Sequence, residues 1–337
     1  MLKGILKRLI EKKDLTEKEM SYFMSAIMEG KATSAQIAAF LVALRLKGET
    51  VTEITTAARI MQKKANKIKI KRDKPIVDTC GTGGDNKNTF NVSTTTAFVV
   101  AGAGLKVAKH GNRSVSSHCG SADVLEALGV NLDVSPQRVA QCIDEIGIGF
   151  LFAPRFHPAM KYALSARREI GIRTIFNILG PLTNPAKTSH QVVGVYDKKW
   201  ILPLAKVLKN LGLKGAMVVH GEGGYDEITI TGKTYIAELK DGKILNYEID
   251  PMSFGLKTAS EKEIKGGDRA ENAQCLEDIL SNKEKGAKYN MVLLNAAAVF
   301  KITKTVSTWN EGIELAKEII RSRKAYEKLE RLIEMTK

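Results

Sequence analysis

The chain has 337 residues, of which 44% are apolar and 26% charged, as expected for a globular protein with one large domain and a smaller one. It contains no apolar run of membrane-spanning length, no secretory signal and no Cys-x-x-Cys pair, so we expect a cytoplasmic protein without a zinc site or disulfide framework. Its net charge of +15 could attract nucleic acid, but no aromatic residues interleave with the basic runs, and we favour a lysine-rich surface suited to an anionic substrate.

The first 65 residues are predicted to form a small helical domain. Thr16, Thr33 and Thr50 each stand three residues before a Glu or Gln, which is the capping-box pattern of a helix start. The helix predicted over 34–47 is apolar almost all round and must therefore be buried on more than one side. The pattern alone leaves two explanations open, packing against the rest of the chain or a subunit interface.

A strand, a glycine-rich loop and a helix follow the charged linker Lys63–Lys74. The strand is predicted over 75–77 and the helix over 94–103, with three glycines in the loop between them. Glycines let the backbone approach a ligand closely, and a helix start offers unpaired N–H groups and a partial positive charge. This unit therefore predicts a phosphate-binding site.

A second unit of the same kind comes next. A strand is predicted over 105–108, a basic loop over 109–117 and a helix from Gly120 to Leu128. Loops that follow parallel strands lie at one edge of a sheet, so both loops should face one crevice. Lys109 and Arg113 would add cations to the N–H groups of the first loop.

Alternating strands and helices continue to about residue 220. Helix 157–170 and the buried-type strands 191–195 and 215–219 are followed by a meander over 228–231, 235–239 and 244–249, and helices return at 271–280, 291–300 and 310–335. The pattern predicts an α/β domain over 75–337 with a central, mostly parallel sheet. Asp226 and Glu227 follow a strand end and suit Mg²⁺, although from the sequence alone a solvated acidic turn is the better interpretation.

Five segments carry a close resemblance to the anthranilate phosphoribosyltransferase family, which has a nucleoside phosphorylase/phosphoribosyltransferase-like fold. They are Gly81–Asp85, Asn91–Thr94, Lys109–Ser114, Gly120–Asp123 and Gly171–Pro185. One departure is His118, where many members have a lysine or arginine. The resemblance implies transfer of the phosphoribosyl group of 5-phosphoribosyl 1-diphosphate to the amine of anthranilate, the second step of tryptophan biosynthesis from chorismate.

The resemblance also implies the site residues. Phosphoribosyl diphosphate would be bound by Gly81, Gly84, Asp85, Thr89, Asn91, Val92, Ser93, Thr94, Lys109, Gly111, Asn112, Arg113, Ser114, Ser116, Ser117 and Ser121. Anthranilate would be bound by Gly81, His110, Asn112, His157, Met160, Arg167 and Pro181, and Mg²⁺ by Ser93, Asp226 and Glu227. No catalytic nucleophile is expected, because catalysis should be electrostatic and positional. A homodimer through the N-terminal helices is implied, with the helices near 160–185 packed on the small domain.

Two alternatives remain at the level of sequence. A pyrimidine nucleoside phosphorylase shares the architecture and a related glycine loop, although the segments 91–94 and 109–113 match the anthranilate enzymes better. A non-catalytic nucleic-acid-binding relative would account for the high charge, but the intact set of Asn112, Arg167, Asp226 and Glu227 speaks against it.

Overall fold

The computed structural model describes residues 1–114 and 119–337. Seven strands form one sheet in the order β3-β2-β1-β4-β5-β6-β7. They are β1 (Ile76–Gly81), β2 (Lys106–Gly111), β3 (Ile148–Phe152), β4 (His190–Gly194), β5 (Gly215–Gly221), β6 (Thr234–Lys240) and β7 (Lys243–Ile249). The first five strands are parallel and the last two antiparallel, so the mostly parallel α/β fold predicted from the sequence is confirmed.

Helices cover both faces of this sheet. They are α1 (Leu2–Ile10), α2 (Glu17–Met28), α3 (Ser34–Lys47), α4 (Val51–Lys64), α5 (Val92–Gly102), α6 (Ser121–Ala127), α7 (Pro136–Glu145), α8 (Ala153–Phe156), α9 (Lys161–Ile170), α10 (Ile175–Leu179), α11 (Ile201–Asn210), α12 (Arg269–Leu280), α13 (Ala287–Ile302), α14 (Trp309–Arg321) and α15 (Lys324–Thr336). Within the described ranges, no helix combines the length and apolar character that crossing a bilayer would need.

The N-terminal helices form a bundle that later parts of the chain complete. All three predicted capping boxes are present, at Thr16, Thr33 and Thr50. Helix α9 contacts α2 and α3, and α10 contacts α3 and α4. The apolar core of the bundle, including Phe23 and Phe40, continues through α9, α10 and α11 to one face of the sheet. Helices α5 and α13 lie in the core on the other face.

The linker between α4 and β1 is fixed at both ends. Asn66 donates hydrogen bonds from its backbone and side chain to the carbonyls of Phe156 and Arg155. Further along, the buried Lys106 ammonium donates to Asp73 (2.6 Å), Asp144 (2.8 Å) and the Lys71 carbonyl (2.9 Å). Between these two anchored parts, residues 67–70 have no recorded hydrogen bond to the rest of the described chain.

Two predicted strands are too short and one is absent. Strands β1 and β2 run on to Gly81 and Gly111, because pairing with β4 and β3 continues into the residues predicted as loops. Residues 228–231 form no strand, because side chains take their backbone donors. Ile228 N–H donates to Asn295 Oδ1 (3.2 Å), and Thr229 N–H donates to Thr234 Oγ1 (3.1 Å).

The helix predicted over 310–335 is two helices. Arg323 adopts the left-handed region (φ 60°) and separates α14 from α15, which packs on α5. No glycine or proline stands at this break in the sequence, so the apolar pattern predicts one uninterrupted helix.

Candidate active site

The glycine loop follows β1 at the carboxyl edge of the sheet. Gly83 and Gly84 have φ values of 65° and 76°, a conformation that favours glycine. The Gly83 N–H donates to Asp226 Oδ2 (2.7 Å), and a Cβ on Gly81 would lie 2.3 Å from the same oxygen. The loop therefore lies directly against the acidic turn that follows β5.

The start of α5 lies beside the same turn. Asn91 donates from its side chain to the Cys119 carbonyl (3.2 Å), and Val92 begins the helix. Thr79 Oγ1 donates to the Ser93 carbonyl (2.9 Å), and Ser93 and Glu227 line the same small cavity. The helix start and the carboxylate predicted as a metal ligand thus lie side by side.

Two further threonines of this region were predicted to bind phosphate. Thr94 Oγ1, on the first turn of α5, is buried without a hydrogen-bond partner among the described residues. Thr89 forms an isolated bridge with Lys265, which fixes the end of the glycine loop. Of the two, only Thr94 therefore offers a buried hydroxyl to a ligand in this structure.

Three carboxyl groups meet at the acidic turn. Burial, and then repulsion from Asp85, raise the pKa of Asp226 to about 7. Burial and the charges of Asp226 and Asp85 raise the pKa of Glu227 well above its usual range. Asp85 Oδ2 is itself buried without a hydrogen-bond partner among the described residues. A cation would remove this repulsion, so the donor set fits Mg²⁺, a hard cation that takes oxygen ligands.

The cavity at this point is small. Its volume is about 10 Å³, room for roughly one water molecule. Ser93, Asp226, Glu227 and Asn295 are among its lining residues. Among the described residues, no group of three His, Cys, Asp or Glu side chains is arranged as a complete metal cage. A metal at this turn would take further ligands from a bound substrate.

The end of β2 carries the basic residues. Lys109 is buried, with only 3% of its surface exposed. Burial raises the pKa of Asp78, and attraction to Lys109 opposes that rise. The charge of Lys109 acts in the same way on Glu227, so the ammonium lies near both Asp78 and the acidic turn. Lys109, together with His110 and Gly111, belongs to the strand, not to the predicted loop.

Asn112 and Arg113 follow the strand and are exposed. The Arg113 guanidinium donates to both oxygens of Glu126 (2.7 and 2.9 Å) and contacts Asp123, so it is ion-paired in this structure. Ser114 donates its N–H to the same Asp123 (2.9 Å). The predicted cation of this loop is therefore engaged by acidic residues of α6.

Of the remaining predicted phosphate ligands, two lie within the described residues and two lie outside them. Gly111 and Ser121 lie close together, since a Cβ on the glycine would meet Ser121 Oγ at 2.1 Å. Ser116 and Ser117, and the departure at His118, lie outside the described residues.

Two histidines predicted to line the anthranilate ring form a pair. The ring centroids of His110 and His157 are 5.2 Å apart. Burial lowers the pKa of His110 to about 3 and that of His157 to about 4, so both rings are neutral at pH 7. Both Nε2 atoms are buried without a hydrogen-bond partner among the described residues. The remaining wall residues are Pro181, which is buried, and Met160, which is half-buried.

Arg167 lies on α9 with its guanidinium 5.2 Å from the ring of Phe176. Burial lowers its pKa, which means that the charge is poorly solvated. Among the described residues it makes no recorded ion pair with a carboxylate, unlike Arg113. Its neighbour Arg168 is exposed. A partly buried guanidinium without a carboxylate partner is suited to bind an anionic ligand.

Several residues that hold the site together were not predicted from the sequence. Arg173 donates to the Gly84 carbonyl, with its guanidinium 4.3 Å from the centroid of the Tyr196 ring. Asp78 and Asn184 form a buried hydrogen bond (2.8 Å). Asn184 and Arg173 lie in a matched segment, and Asp78 shortly precedes the glycine loop, but their partners are far away in sequence.

Comparison with known proteins identifies relatives over the full length of the chain. Residues 3–65 match the helical bundle domain of a glycosyl transferase family, and residues 73–326 match its α/β domain. The anthranilate phosphoribosyltransferase of Persephonella marina is 54% identical over 337 residues, covering 100% of this chain and 99% of the relative. That of Symbiobacterium thermophilum is also 54% identical, with coverage of 99% and 98%.

Solved structures agree with these relatives. The anthranilate phosphoribosyltransferase of Thermus thermophilus superposes with a TM-score of 0.93 at 43% identity, covering 98% of this chain and 99% of that chain. The enzyme of Saccharomyces cerevisiae was solved in complex with PRPP (5-phosphoribosyl 1-diphosphate) and Mg. It superposes with a TM-score of 0.91 at 30% identity, covering 99% of this chain and 97% of that chain.

Proposed function

The chain belongs to the anthranilate phosphoribosyltransferase family, and on that basis we propose that it transfers the phosphoribosyl group of 5-phosphoribosyl 1-diphosphate to the amine of anthranilate. The products are N-(5-phosphoribosyl)anthranilate and diphosphate, and the reaction belongs to tryptophan biosynthesis. The observation that carries this proposal is the juxtaposition of the glycine loop, the start of α5 and the acidic turn, because Gly83 bonds to Asp226 and Ser93 lines one cavity with Asp226 and Glu227. A glycine loop and a helix start bind phosphate, and adjacent carboxylates bind Mg²⁺, so this arrangement suits a diphosphate held together with a metal.

Phosphoribosyl diphosphate is assigned to the edge of the sheet around the glycine loop. The backbone of Gly81–Asp85 would contact the diphosphate and ribose, and the N–H groups at the start of α5 would bind phosphate oxygens. The buried ammonium of Lys109 would compensate part of the negative charge. We propose that the residues which the family resemblance implies for phosphoribosyl diphosphate bind this substrate.

Mg²⁺ is assigned to Asp226, Glu227 and Ser93. The support is burial, and then the mutual repulsion of Asp85, Asp226 and Glu227, which raise the pKa of Asp226 and Glu227. A divalent cation would relieve the repulsion. When bound, the metal would neutralise charge on the diphosphate leaving group. The relative from Saccharomyces cerevisiae was solved in complex with Mg, which supports magnesium as the cation.

Anthranilate is assigned to the space bounded by His110, His157 and Arg167. The guanidinium would pair with the substrate carboxylate, and the neutral imidazoles, with Met160 and Pro181, would line the aromatic ring. Asn112 would donate a hydrogen bond. Because both histidines hold their neutral form down to about pH 4, neither adds positive charge near the amine that must attack.

The chemistry needs no protein nucleophile. The amine displaces diphosphate at the anomeric carbon, and positive charge develops on the ribose as the leaving group departs, as in glycoside cleavage. The residues of this chain hold the two substrates in line and stabilise the leaving diphosphate through N–H groups and Lys109. Catalysis is therefore electrostatic and positional.

We also propose that the chain acts as a cytoplasmic homodimer, with residues 1–65 as a small helical domain and 75–337 as a large one. The outer face of α3 supports the dimer. Ala35, Ala39, Val42 and Leu46 form an apolar stripe at helical spacing, and Leu46 remains 76% exposed. A stripe of this kind is suited to an isologous contact between two copies.

A product assay tests the proposed function. Purified protein is incubated with anthranilate, phosphoribosyl diphosphate and Mg²⁺, and consumption of anthranilate fluorescence is followed with identification of the product by mass. Phosphorolysis of thymidine or uridine is measured in parallel. Transfer to anthranilate is expected, and nucleoside cleavage without it would favour the phosphorylase alternative. A salt-dependent shift of DNA without either reaction would favour a nucleic-acid-binding protein.

A further inference from the structure

The pairing of β1 with β2 ends early. The two strands are in register at Ile76 with Lys106 and at Val77 with Val107, and no further rung is recorded between these two described strands. On its other side β1 stays paired with β4 to Gly81. Strand β2 likewise stays paired with β3 to Gly111. The two strands that lead to the two substrate loops are thus the pair whose ladder stops first.

Side chains take the place of the missing rungs. Asp78 is fully buried, and its Oδ1 accepts the backbone N–H of His110 (3.1 Å). Its Oδ2 accepts Asn184 Nδ2 (2.8 Å), which also donates to the Ala108 carbonyl (2.8 Å). Backbone groups of β2 that would otherwise pair with β1 are satisfied by a carboxylate and a carboxamide.

Asp78 and Asn184 also join the sheet to the residues proposed to line the anthranilate ring, which are called the anthranilate wall below. Asn184 Oδ1 accepts the N–H of Ala186 (2.9 Å), which fixes the end of the 180–184 segment. The Gly180 and Thr183 backbones of this segment lie close enough to the rings of His110 and His157 respectively to raise the pKa of each, against the larger opposing effect of burial. The two side chains therefore connect β1, β2 and the segment that carries Pro181.

Stability alone does not account for this arrangement. A backbone ladder would satisfy the same groups without burying a carboxylate, and a buried charge is costly unless it is fully paired. Burial does raise the pKa of Asp78, with Lys109 and Asn184 opposing the rise. The cost indicates that the side-chain bridges between these two strands serve the site.

We propose that Asp78 and Asn184 are positioning residues that set the separation between the glycine loop and the anthranilate wall. Neither touches a substrate. They act by holding His110 and the 180–184 segment at a fixed place relative to Gly81. This inference rests on the proposed function, because the separation matters only if two substrates react across it.

The test separates binding from alignment. In Asn184→Ala, kcat per folded molecule should fall by roughly 10- to 100-fold, since small misplacements of reacting groups cost about that much. The dissociation constants of phosphoribosyl diphosphate and of anthranilate, each measured alone by calorimetry, should change by less than about threefold, or under about 0.7 kcal/mol. Asn184→Ser gives a second, smaller perturbation if the alanine variant folds poorly.

An exchanged pair provides a rescue. Asn184→Asp places two buried carboxylates together and should lose activity, whereas Asp78→Asn with Asn184→Asp restores one side-chain hydrogen bond and should recover part of kcat. Glu238→Gln is the matched control, because it weakens a buried carboxylate bond to Tyr247 far from the loops and should alter Tm without altering kcat.

Three results would overturn the proposal. They are an unchanged kcat in Asn184→Ala, a loss confined to the two dissociation constants, and a double variant no better than Asn184→Asp. Wild-type protein that fails to transfer phosphoribosyl groups would instead overturn the proposed function, so the two failures are distinguishable.

Discussion

Individual charged residues dominate the candidate site because several of them lack partners. Within the described part of the chain, Arg167 is partly buried with only an aromatic ring recorded against its guanidinium, and Asp226 and Glu227 face a third carboxylate. Charged groups held in this way are unfavourable until a ligand of opposite charge arrives. Each therefore leads to a substitution whose effect depends on the ligand.

Arg167→Ala should weaken anthranilate far more than phosphoribosyl diphosphate. Losing a charge-assisted hydrogen bond costs about 1.5–3 kcal/mol, or roughly 10- to 100-fold in affinity. Steady-state kinetics with each substrate varied in turn will measure the difference. The exposed neighbour makes Arg168→Ala the matched control, and Lys109→Ala should show the opposite bias. An effect of Arg167→Ala on phosphoribosyl diphosphate alone would place the aromatic site elsewhere.

Replacing both acidic residues by amides should separate activity from stability. Burial, and then repulsion between carboxylates, raise the pKa of both groups. Asp226→Asn with Glu227→Gln removes both buried carboxyls, so the metal-free protein should melt at a higher temperature. Binding of phosphoribosyl diphosphate should at the same time lose its dependence on Mg²⁺. Glu222→Gln, in the same turn but exposed, should change neither property. Full activity in the double variant across a Mg²⁺ titration contradicts the metal assignment.

The buried histidines give a pH dependence of known sign. Because the pKa of His110 is about 3 in the folded state and about 6.5 when unfolded, the unfolded state takes up a proton first as the pH falls. The contribution of the neutral His110 imidazole to the free energy of unfolding is present above pH 6.5 and is lost as the pH falls toward 3. At pH 5 the loss is about 2 kcal/mol relative to pH 7.

Urea unfolding of wild type and His110→Gln at the two pH values checks this. The difference in unfolding free energy between the two proteins should shrink by that amount at pH 5. Equal differences at both pH values would mean that the folded protein admits the charged imidazole.

At the scale of elements, the site depends on close approach between strand ends and the acidic turn. Gly194 ends β4, and a Cβ there would lie 1.5 Å from the carbonyl oxygen of Asp226. Gly194→Ala must therefore displace either the strand or the turn. We expect destabilisation of about 1–3 kcal/mol or more, with loss of turnover.

Thermal melting and kcat of Gly194→Ala measure both effects. Gly4→Ala is the control, because nothing lies within 4 Å of its added Cβ and an alanine inside α1 should stabilise by up to about 1 kcal/mol. A melting temperature of Gly194→Ala equal to that of wild type would show that the turn at Asp226 can move without loss of stability.

Elements whose signals are local could be predicted from the sequence. Each capping box joins residues three apart, and all three helix starts were predicted where the structure has them. Strand ends depend on neighbours, so the inclusion of Lys109 in β2 is visible only once β3 is paired with it. Asp78 and Asn184 are 106 residues apart, and no local pattern relates them. The long-range contacts that shape the site are thus the part that sequence patterns do not contain.

At the scale of the whole molecule, the α3 stripe predicts the assembly. Leu46→Glu should convert the protein to monomers, because a charge would be buried at the centre of an apolar two-fold contact. Light scattering after size-exclusion chromatography at micromolar concentration gives the mass. Leu245→Glu, on an exposed position of β7, is the control and should leave the mass unchanged. A wild-type protein that is monomeric in this experiment contradicts the dimer.

The completion of the N-terminal bundle by α9 and α10 has a consequence for independent folding. Residues 1–66 form a continuous stretch of chain, yet their apolar core needs partners such as Ile175 and Phe176 that are encoded more than a hundred residues later. A fragment ending at residue 66 would expose that core to water and should aggregate when expressed alone. Co-expressed with the remainder of the chain, the same fragment should assemble with it into a nicked but native protein, because the cut falls in the connection over 67–70 while the packing across it stays intact.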